Sequence, residues 1–188
     1  MTSVLLTPPP VLRASPVALR PPRRHDVPAI TRACQDHEMQ RWTTIPVPYG
    51  EADAVFFVED YAAAGWADGS MATFAVTTGD DAYAGAIDLR LDGKGMAEVG
   101  YAIAPWARGR GVGTAALRLA CGYAFDTLAV ARVEWWAYVG NWPSRRMAER
   151  VGFTVEGTCR SRLAARGQRY DAWVGGLLPG ELRAEQPV

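Results

Sequence analysis

Between Ser70 and Ala104 the apolar residues fall into three short bursts, Met71–Thr77, Ala82–Leu91 and Met96–Ala104, divided by Gly79-Asp80-Asp81 and by Asp92-Gly-Lys-Gly95. Segments of this length between turn residues predict three strands joined as an antiparallel meander. On either side of the meander the period changes to that of a helix. Ala54, Val55, Val58, Tyr61 and Ala62 predict a helix from Glu51 to about Ala64, ended at Gly65. After the meander, Val112–Thr127 carries one apolar row at Val112, Ala116, Leu119 and Tyr123 and a second at Leu117, Cys121, Ala124 and Leu128. Two rows predict a helix buried on two sides.

The remaining segments extend the pattern. Val17–Arg20 predicts a first strand stopped by Pro21-Pro22, and Asp26-Val-Pro-Ala predicts a helix with Asp26 as N-cap, running to about Asp36. A loop with Pro46 and Pro48 follows. Arg132–Val139 predicts a strand, so residues 96–139 form a βαβ unit. Pro143–Arg150 predicts a short helix stopped at Gly152, and Phe153–Gly157 and Tyr170–Leu178 predict closing strands around an Arg-rich loop. The expected fold is one α/β (α+β) domain over residues 16–180, a mixed, mostly antiparallel sheet flanked by helices, with loosely held ends at 1–15 and 181–188.

Composition narrows the class of partner. Twenty basic residues balance twenty acidic ones in 188, which leaves no global attraction to nucleic acid or to an anionic membrane. Cys34, Cys121 and Cys159 are widely spaced and lack ligand or disulfide-framework spacing. Neither His25 nor His37 reads as a metal ligand, so no metal is expected. No stretch approaches a membrane span, and Val4-Leu5-Leu6 breaks at Pro8-Pro9-Pro10, too short for a signal core. A cytoplasmic protein is expected.

Between the meander and the long helix lies Ala104-Pro-Trp-Ala-Arg-Gly-Arg-Gly-Val-Gly-Thr114, a glycine-rich turn at a helix start. Gly109, Gly111 and Gly113 let backbone N–H groups close on a ligand, the helix beginning at Val112 and Thr114 adds its positive end, and Arg108 and Arg110 add charge. Phosphate is the natural guest. Locally, Gly111-Val-Gly113-Thr-Ala-Ala116 also fits the dinucleotide fingerprint, with Glu134 near the place of the ribose-binding acid. Against that stand Pro105-Trp-Ala-Arg108 between strand and glycine, and three strands before the unit. A purely structural turn is the remaining alternative.

Arg108-Gly-Arg-Gly111-Val-Gly113 is similar to the Q/R-x-x-G-x-G/A motif of the GCN5-related N-acetyltransferases (GNAT). Ala97-Glu-Val-Gly-Tyr-Ala-Ile-Ala-Pro105 before it and Asn141-Trp-Pro-Ser-Arg-Arg-Met-Ala-Glu-Arg-Val-Gly-Phe153 after it resemble the same family, the latter resembling the N-x-x-S signature of the RimJ/RimL-like branch that acetylates N-termini of ribosomal proteins. With Leu19-Arg-Pro and Asp26, the resemblance covers residues 17–178. It implies strands at 96–104 and 131–139 that splay apart for the pantetheine arm of acetyl-coenzyme A, held near Ile103 and by Asn141, with the pyrophosphate on Arg108–Thr114. It implies acetyl transfer to a primary amine, either a protein N-terminus or a small amine such as an antibiotic, polyamine or amino-acid derivative. A non-catalytic acyl-CoA-binding module of the same fold stays open, and so does a homodimer.

Such chemistry needs a neutral amine, and an alkylamine has a pKa near about 10.4, so a base or a desolvating pocket is required. Glu98 is the first candidate base, through water, with Glu134 second. The resemblance points to Ser144 for protonating the departing thiolate and to contact with the cofactor, with Tyr138 as the alternative donor; a mere helix cap is the structural reading of Ser144. Related enzymes with a glutamate–tyrosine pair would place it at Trp136 and Ala148, so that pair is missing here. Trp42 and Tyr49 are expected in the loop bordering the acceptor site. Arg160, Arg162, Arg166 and Arg169 form either a solvated loop or an attractor for an acidic acceptor or the nucleotide 3′-phosphate.

Overall fold

Every predicted strand of the meander joins a single sheet in the computed structural model, which describes residues 9–184. Eight strands run β1 (Leu12–Ala14), β2 (Val17–Arg20), β3 (Met71–Thr78), β4 (Ala82–Leu91), β5 (Met96–Ile103), β6 (Arg132–Tyr138), β7 (Thr154–Ala165) and β8 (Gln168–Leu177), in the spatial order β1-β2-β3-β4-β5-β6-β8-β7. All neighbours are antiparallel except β5 and β6, which are parallel and joined through helix α5 (Val112–Asp126). Parallel strands need such a crossover.

One core lies under the sheet on the α5 side, where Leu117, Ala120, Cys121 and Ala124 meet Phe74, Leu89, Val99 and Val133. Helix α6 (Trp142–Val151) completes that layer. The opposite face is covered by α1 (Val27–Cys34), α2 (His37–Trp42), α3 (Glu51–Phe56) and a π-helical turn at Phe57–Tyr61, around a second core of Val27, Ile30, Ala54 and Tyr83, while α4 (Ala62–Asp68) sends Trp66 into the first core against Phe74.

Several expectations are corrected. The loop after Asp36 contains α2, capped by Asp36, whose Oδ1 accepts from the Met39 N–H at 2.9 Å. Gly65 does not end its helix; the helix runs on to Asp68 and stops at Gly69, which takes φ 72°. The Arg-rich loop is instead the outer half of the β7–β8 hairpin, turning at Arg166 and Gly167, both with positive φ. Such a turn matches the twist of the strands it joins. A short strand, β1, occupies Leu12–Ala14 inside the segment expected to be loose. The rest of the expected loose ends, and Val4-Leu5-Leu6, lie outside the described residues at 1–8 and 185–188.

Candidate active site

The site begins where β5 and β6 part. Their parallel pairing runs only from Met96/Arg132 to Val99/Trp135. Beyond it β5 stays on β4, the last bond being Ala104 N–H to Ala84 O at 2.9 Å, and Pro105, with no N–H, turns the chain away. Main-chain groups alternate along an antiparallel strand. Since Ala104 bonds β4, Tyr101 and Ile103 turn theirs toward the gap; since Val139 N–H donates to Asp171 O on the other side, Trp136 and Tyr138 do the same from β6. The gap is therefore lined by backbone donors and acceptors from two diverging strands.

At its mouth stands the glycine-rich turn. Gly109 and Gly111 have φ of 74° and 77°, a region that side chains with a Cβ avoid. The first bond of α5 is Ala115 N–H to Gly111 O at 3.0 Å, so the N–H groups of Val112, Gly113 and Thr114 have no partner inside the helix. A Cβ on Gly113 would lie 2.5 Å from Met147 Sδ and 3.0 Å from Ile103 Cγ1, so its glycine seats α5 tightly against the gap. Arg110 is exposed. Arg108 folds back, donating from Nε to Ile103 O at 3.0 Å and from Nη2 to Asp36 Oδ1 at 2.6 Å. Free amides, two guanidiniums and a gap with open main-chain groups fit a pyrophosphate followed by an amide-containing arm.

The sheet then separates the polar groups into two sets. On the α5 side, Ser144 Oγ accepts from Trp135 Nε1 at 3.0 Å and donates to the Tyr101 hydroxyl at 3.0 Å, while Tyr101 donates to Ser144 O at 3.1 Å. Burial pushes the Tyr101 phenol well above its ordinary pKa, which keeps it protonated. Ser144 does not cap α6. Asn141 does, its Oδ1 accepting from Ser144 N–H at 3.2 Å, which leaves only its amide nitrogen for a cofactor arm.

On the other face lie the carboxylates. Glu98 sits beside Glu134 in the parallel register and accepts from Arg90 Nη1 at 2.8 Å. Arg90 Nη2 also donates to Asp88 Oδ2 at 2.8 Å, and the Tyr61 hydroxyl donates to the same oxygen at 3.3 Å. Burial raises the Asp88 pKa, with Arg90 opposing. Glu134 accepts from Arg132 Nε and Nη2, both at 3.1 Å, and from Trp136 Nε1 at 3.3 Å. Tyr61 closes the π-helical turn, an irregularity common at functional sites.

The same face carries a cavity of about 870 Å³ between α2 and the β7–β8 hairpin, lined among others by Arg41, Trp42, Tyr138, Arg166, Arg169 and Tyr170. Tyr138 is buried, its ring packs edge-on to Tyr170 at 5.3 Å, and its hydroxyl has no hydrogen-bond partner among the described residues. Tyr138 and Ser144 thus stand on opposite faces. Trp42 borders the cavity from the end of α2, whereas Tyr49 is core, with 6% exposure. Arg162 lies over the Trp136 ring at 4.6 Å, and Arg160 is exposed.

Two residues escaped the sequence reading. Tyr101 was visible only as part of a strand pattern, yet its hydroxyl completes the Ser144 network. For Asp88 a signal existed: Gly100 stands opposite it in the sheet, and any Cβ there would strike the Asp88 carboxylate. A glycine inside a strand marks such a close approach.

A parallel pair thus splays beside a helix start with free amides, with hydroxyls on one face of the sheet and carboxylates on the other. The acetyltransferase (GNAT) domain family matches residues 17–154, and the chain belongs to that family. It is 42% identical over 90 residues to YdaF of Bacillus subtilis, named as a candidate ribosomal N-acetyltransferase, a match covering 48% of this chain and 49% of that protein. The chain spans about half the length of the curated relatives it matches. In fold it resembles a Vibrio cholerae protein described as a candidate ribosomal-protein-serine acetyltransferase, with TM-score 0.82 and 21% identity over 92% of this chain and 99% of the other. It also resembles Mycobacterium smegmatis RimJ in complex with CoA-disulfide, with TM-score 0.81 and 24% identity over 94% and 89% of the two chains.

Proposed function

We propose that the protein is an acetyl-coenzyme A-dependent N-acetyltransferase whose acceptor is the α-amine of a peptide or protein, entering from the cavity beside α2. The observation that carries this reading is the sorting of polar groups by the sheet, with the Ser144 and Tyr101 hydroxyls on one face of the gap and the carboxylates with the cavity on the other. Acetyl-coenzyme A, when bound, supplies a thioester carbonyl for the amine and a thiolate that leaves.

The chain's residues take the remaining roles. The N–H groups of Val112, Gly113 and Thr114, with Arg110 and a released Arg108, hold the pyrophosphate. The main chain of Tyr101, Ile103 and Trp136 and the amide nitrogen of Asn141 hold the arm. Ser144 gives its hydroxyl proton to the departing sulfur and regains one from solvent, while the neutral Tyr101 hydroxyl holds the Ser144 Oγ in place. Water carries the amine proton toward the Asp88–Arg90–Glu98 chain.

The acceptor class follows from how these carboxylates are held. Glu98 and Glu134 are each tied to an arginine, so neither stands free to take the amine proton directly, and an acceptor that is already partly neutral suits the site. An α-amine, with a pKa near about 7.8, is partly neutral at pH 7, whereas a lysine amine near about 10.4 is not. Three free thiols fit the reducing cytoplasm, where such acceptors are made. The experiment is thiol release from acetyl-coenzyme A on a panel of free-N-terminus peptides, N-blocked lysine peptides and polyamines, with mass spectrometry of the products. Acetylation at the α-amine is the expected result. Tight cofactor binding with no turnover on any amine would make the protein a non-catalytic acyl-CoA-binding module.

A further inference from the structure

We infer that the cavity beside α2 selects acceptors carrying carboxylates close to the reactive amine, as in a peptide with Asp or Glu within its first few residues. This rests on the reading of that cavity as the acceptor entrance. Its walls carry three arginines, Arg41 from α2 and Arg166 and Arg169 from the hairpin, against one carboxylate, Asp171. That carboxylate is already occupied, since its Oδ1 accepts from Ser161 N–H at 2.9 Å. A concave wall with a net positive charge focuses its field on what enters.

The arginines differ in how they are held. Arg166 Nη2 reaches the carbonyls of Gln40, Thr43 and Ile45, at 2.7, 3.3 and 3.1 Å, so its charge is fixed at the C-terminal end of α2. Carbonyl partners leave its charge uncompensated. Arg169 Nη1 donates to another carbonyl, Ser161 O, at 3.0 Å. Arg41 lies 4.6 Å over the Trp42 ring, and its only carboxylate contact among the described residues is a loose 3.7 Å approach to Glu38, which also accepts from Trp42 Nε1 at 2.9 Å.

A second, independent observation is the floor. The Tyr138 hydroxyl is buried in this lining without a hydrogen-bond partner among the described residues, a state that costs free energy unless a ligand supplies an acceptor. A peptide carbonyl or carboxylate is such a group. A polyamine is not, and it would also meet three like charges. The same chemistry could come from an acidic peptide or from a small amino acid bearing a carboxylate, so both belong in the test.

The test is a set of peptides sharing one N-terminal residue and differing at positions two to four as Asp/Glu, Ser/Gly or Lys, with free glutamate and aspartate alongside, assayed by thiol release. The expected order of kcat/KM is acidic above neutral above basic, by about tenfold or more from first to last, with the acidic advantage shrinking as salt rises. Arg41→Gln and Arg169→Gln reduce the acidic-to-neutral ratio, and the salt series on the unmodified protein keeps the test independent of how those variants fold. Faster turnover of the free amino acids than of the peptides identifies the small acid as the occupant and still supports carboxylate selection. Equal rates across the charge series, or a preference for Lys, overturn the inference while leaving acetyl transfer standing. No acetylation of any member overturns the transferase reading and the inference with it.

Discussion

Arg108 Nη2 stands 2.6 Å from Asp36 Oδ1, so the arginine heading the glycine-rich loop is docked on the carboxylate that caps α2. One oxygen serves both partners, since the same Oδ1 accepts from Met39 N–H. The glycine-rich loop and the helix that lines the cavity are thereby joined through a single side chain. On the proposed reading, a pyrophosphate seated on α5 would compete with Asp36 for Arg108.

Asp36→Asn tests that competition, because Asn caps a helix about as well as Asp but carries no charge. Coenzyme A should bind the variant about 1.4- to fivefold more tightly by calorimetry, the range set by an exposed ion pair of about 0.2–1 kcal/mol. Weaker binding would mean that Asp36 orients Arg108 instead of competing for it. Burial pushes the Asp36 carboxyl up, but the Arg108 and Met39 hydrogen bonds outweigh it and hold the pKa below its ordinary value. A lowered carboxylate pKa stabilises the fold above the unfolded value, near about 3.9, and that contribution is lost as pH falls through the folded value. Melting temperatures of the variant and the parent should therefore converge in acid.

Ser144→Ala should lower kcat while leaving coenzyme A affinity close to that of the parent. It also strips the buried Trp135 Nε1–H of its acceptor, a loss of about 1–3 kcal/mol in urea unfolding. Tyr101→Phe removes the other hydroxyl of the network and should depress kcat as well. A normal kcat in both variants would reduce the pair to a structural link between β5 and α6.

How much of this was legible in the sequence depends on the range of the forces involved. Ala82–Leu91 was bounded to the residue because turn residues bracket it on both sides. The glycine-rich turn was legible as a turn too, since Gly109 and Gly111 answer a local demand for positive φ. Helix α2 was not, for Met39 is its one buried residue and its C-terminal carbonyls are satisfied by Arg166, more than a hundred residues away. The outer hairpin was missed because β7 has no fully buried residue, and its half-buried positions, Val155, Cys159, Leu163 and Ala165, are mostly spaced too widely to show a period of two. At the site, Asn141 and Ser144 were found together, but which of them caps α6 is decided by Tyr101 and Trp135 drawing the serine hydroxyl elsewhere.

Asp88 and Glu98 are distinguished by pH. Burial raises the Asp88 pKa, so as a proton acceptor it gives kcat/KM an acidic limb above the ordinary carboxylate range. Asp88→Asn should remove that limb; Glu98→Gln should lower the rate and keep the limb. The stability sign is the reverse of that for Asp36. A raised carboxyl stabilises the fold below the unfolded pKa, and this contribution is lost as pH rises through the folded value. Asp88→Asn should therefore gain stability relative to the parent as pH increases through that range. An unchanged profile in Asp88→Asn would return the role of base to Glu98.

Arg20 and Asp26 make a two-bond ion pair, with Nη1 to Oδ2 and Nη2 to Oδ1 both at 2.8 Å and side chains 3% and 2% exposed. Asp26 was expected to cap α1 with its side chain, but it turns inward, where Oδ2 also accepts from Arg23 N–H. Removing one partner leaves the other charge buried, so Asp26→Ala should cost about 3–5 kcal/mol in urea unfolding. The double variant Arg20→Met, Asp26→Leu should lose much less than the sum of the two single losses, because a buried pair replaced by apolar groups no longer carries a desolvation penalty. A single-variant loss below about 1 kcal/mol would show that Asp81, which accepts from Arg20 Nε at 2.6 Å, holds the guanidinium alone. The pair fixes the end of β2 against the start of α1, and α1 leads directly to Asp36. Loss of this pair should therefore also loosen the Arg108–Asp36 contact, making the effect of Asp36→Asn on affinity smaller in the Asp26→Ala background than in the parent.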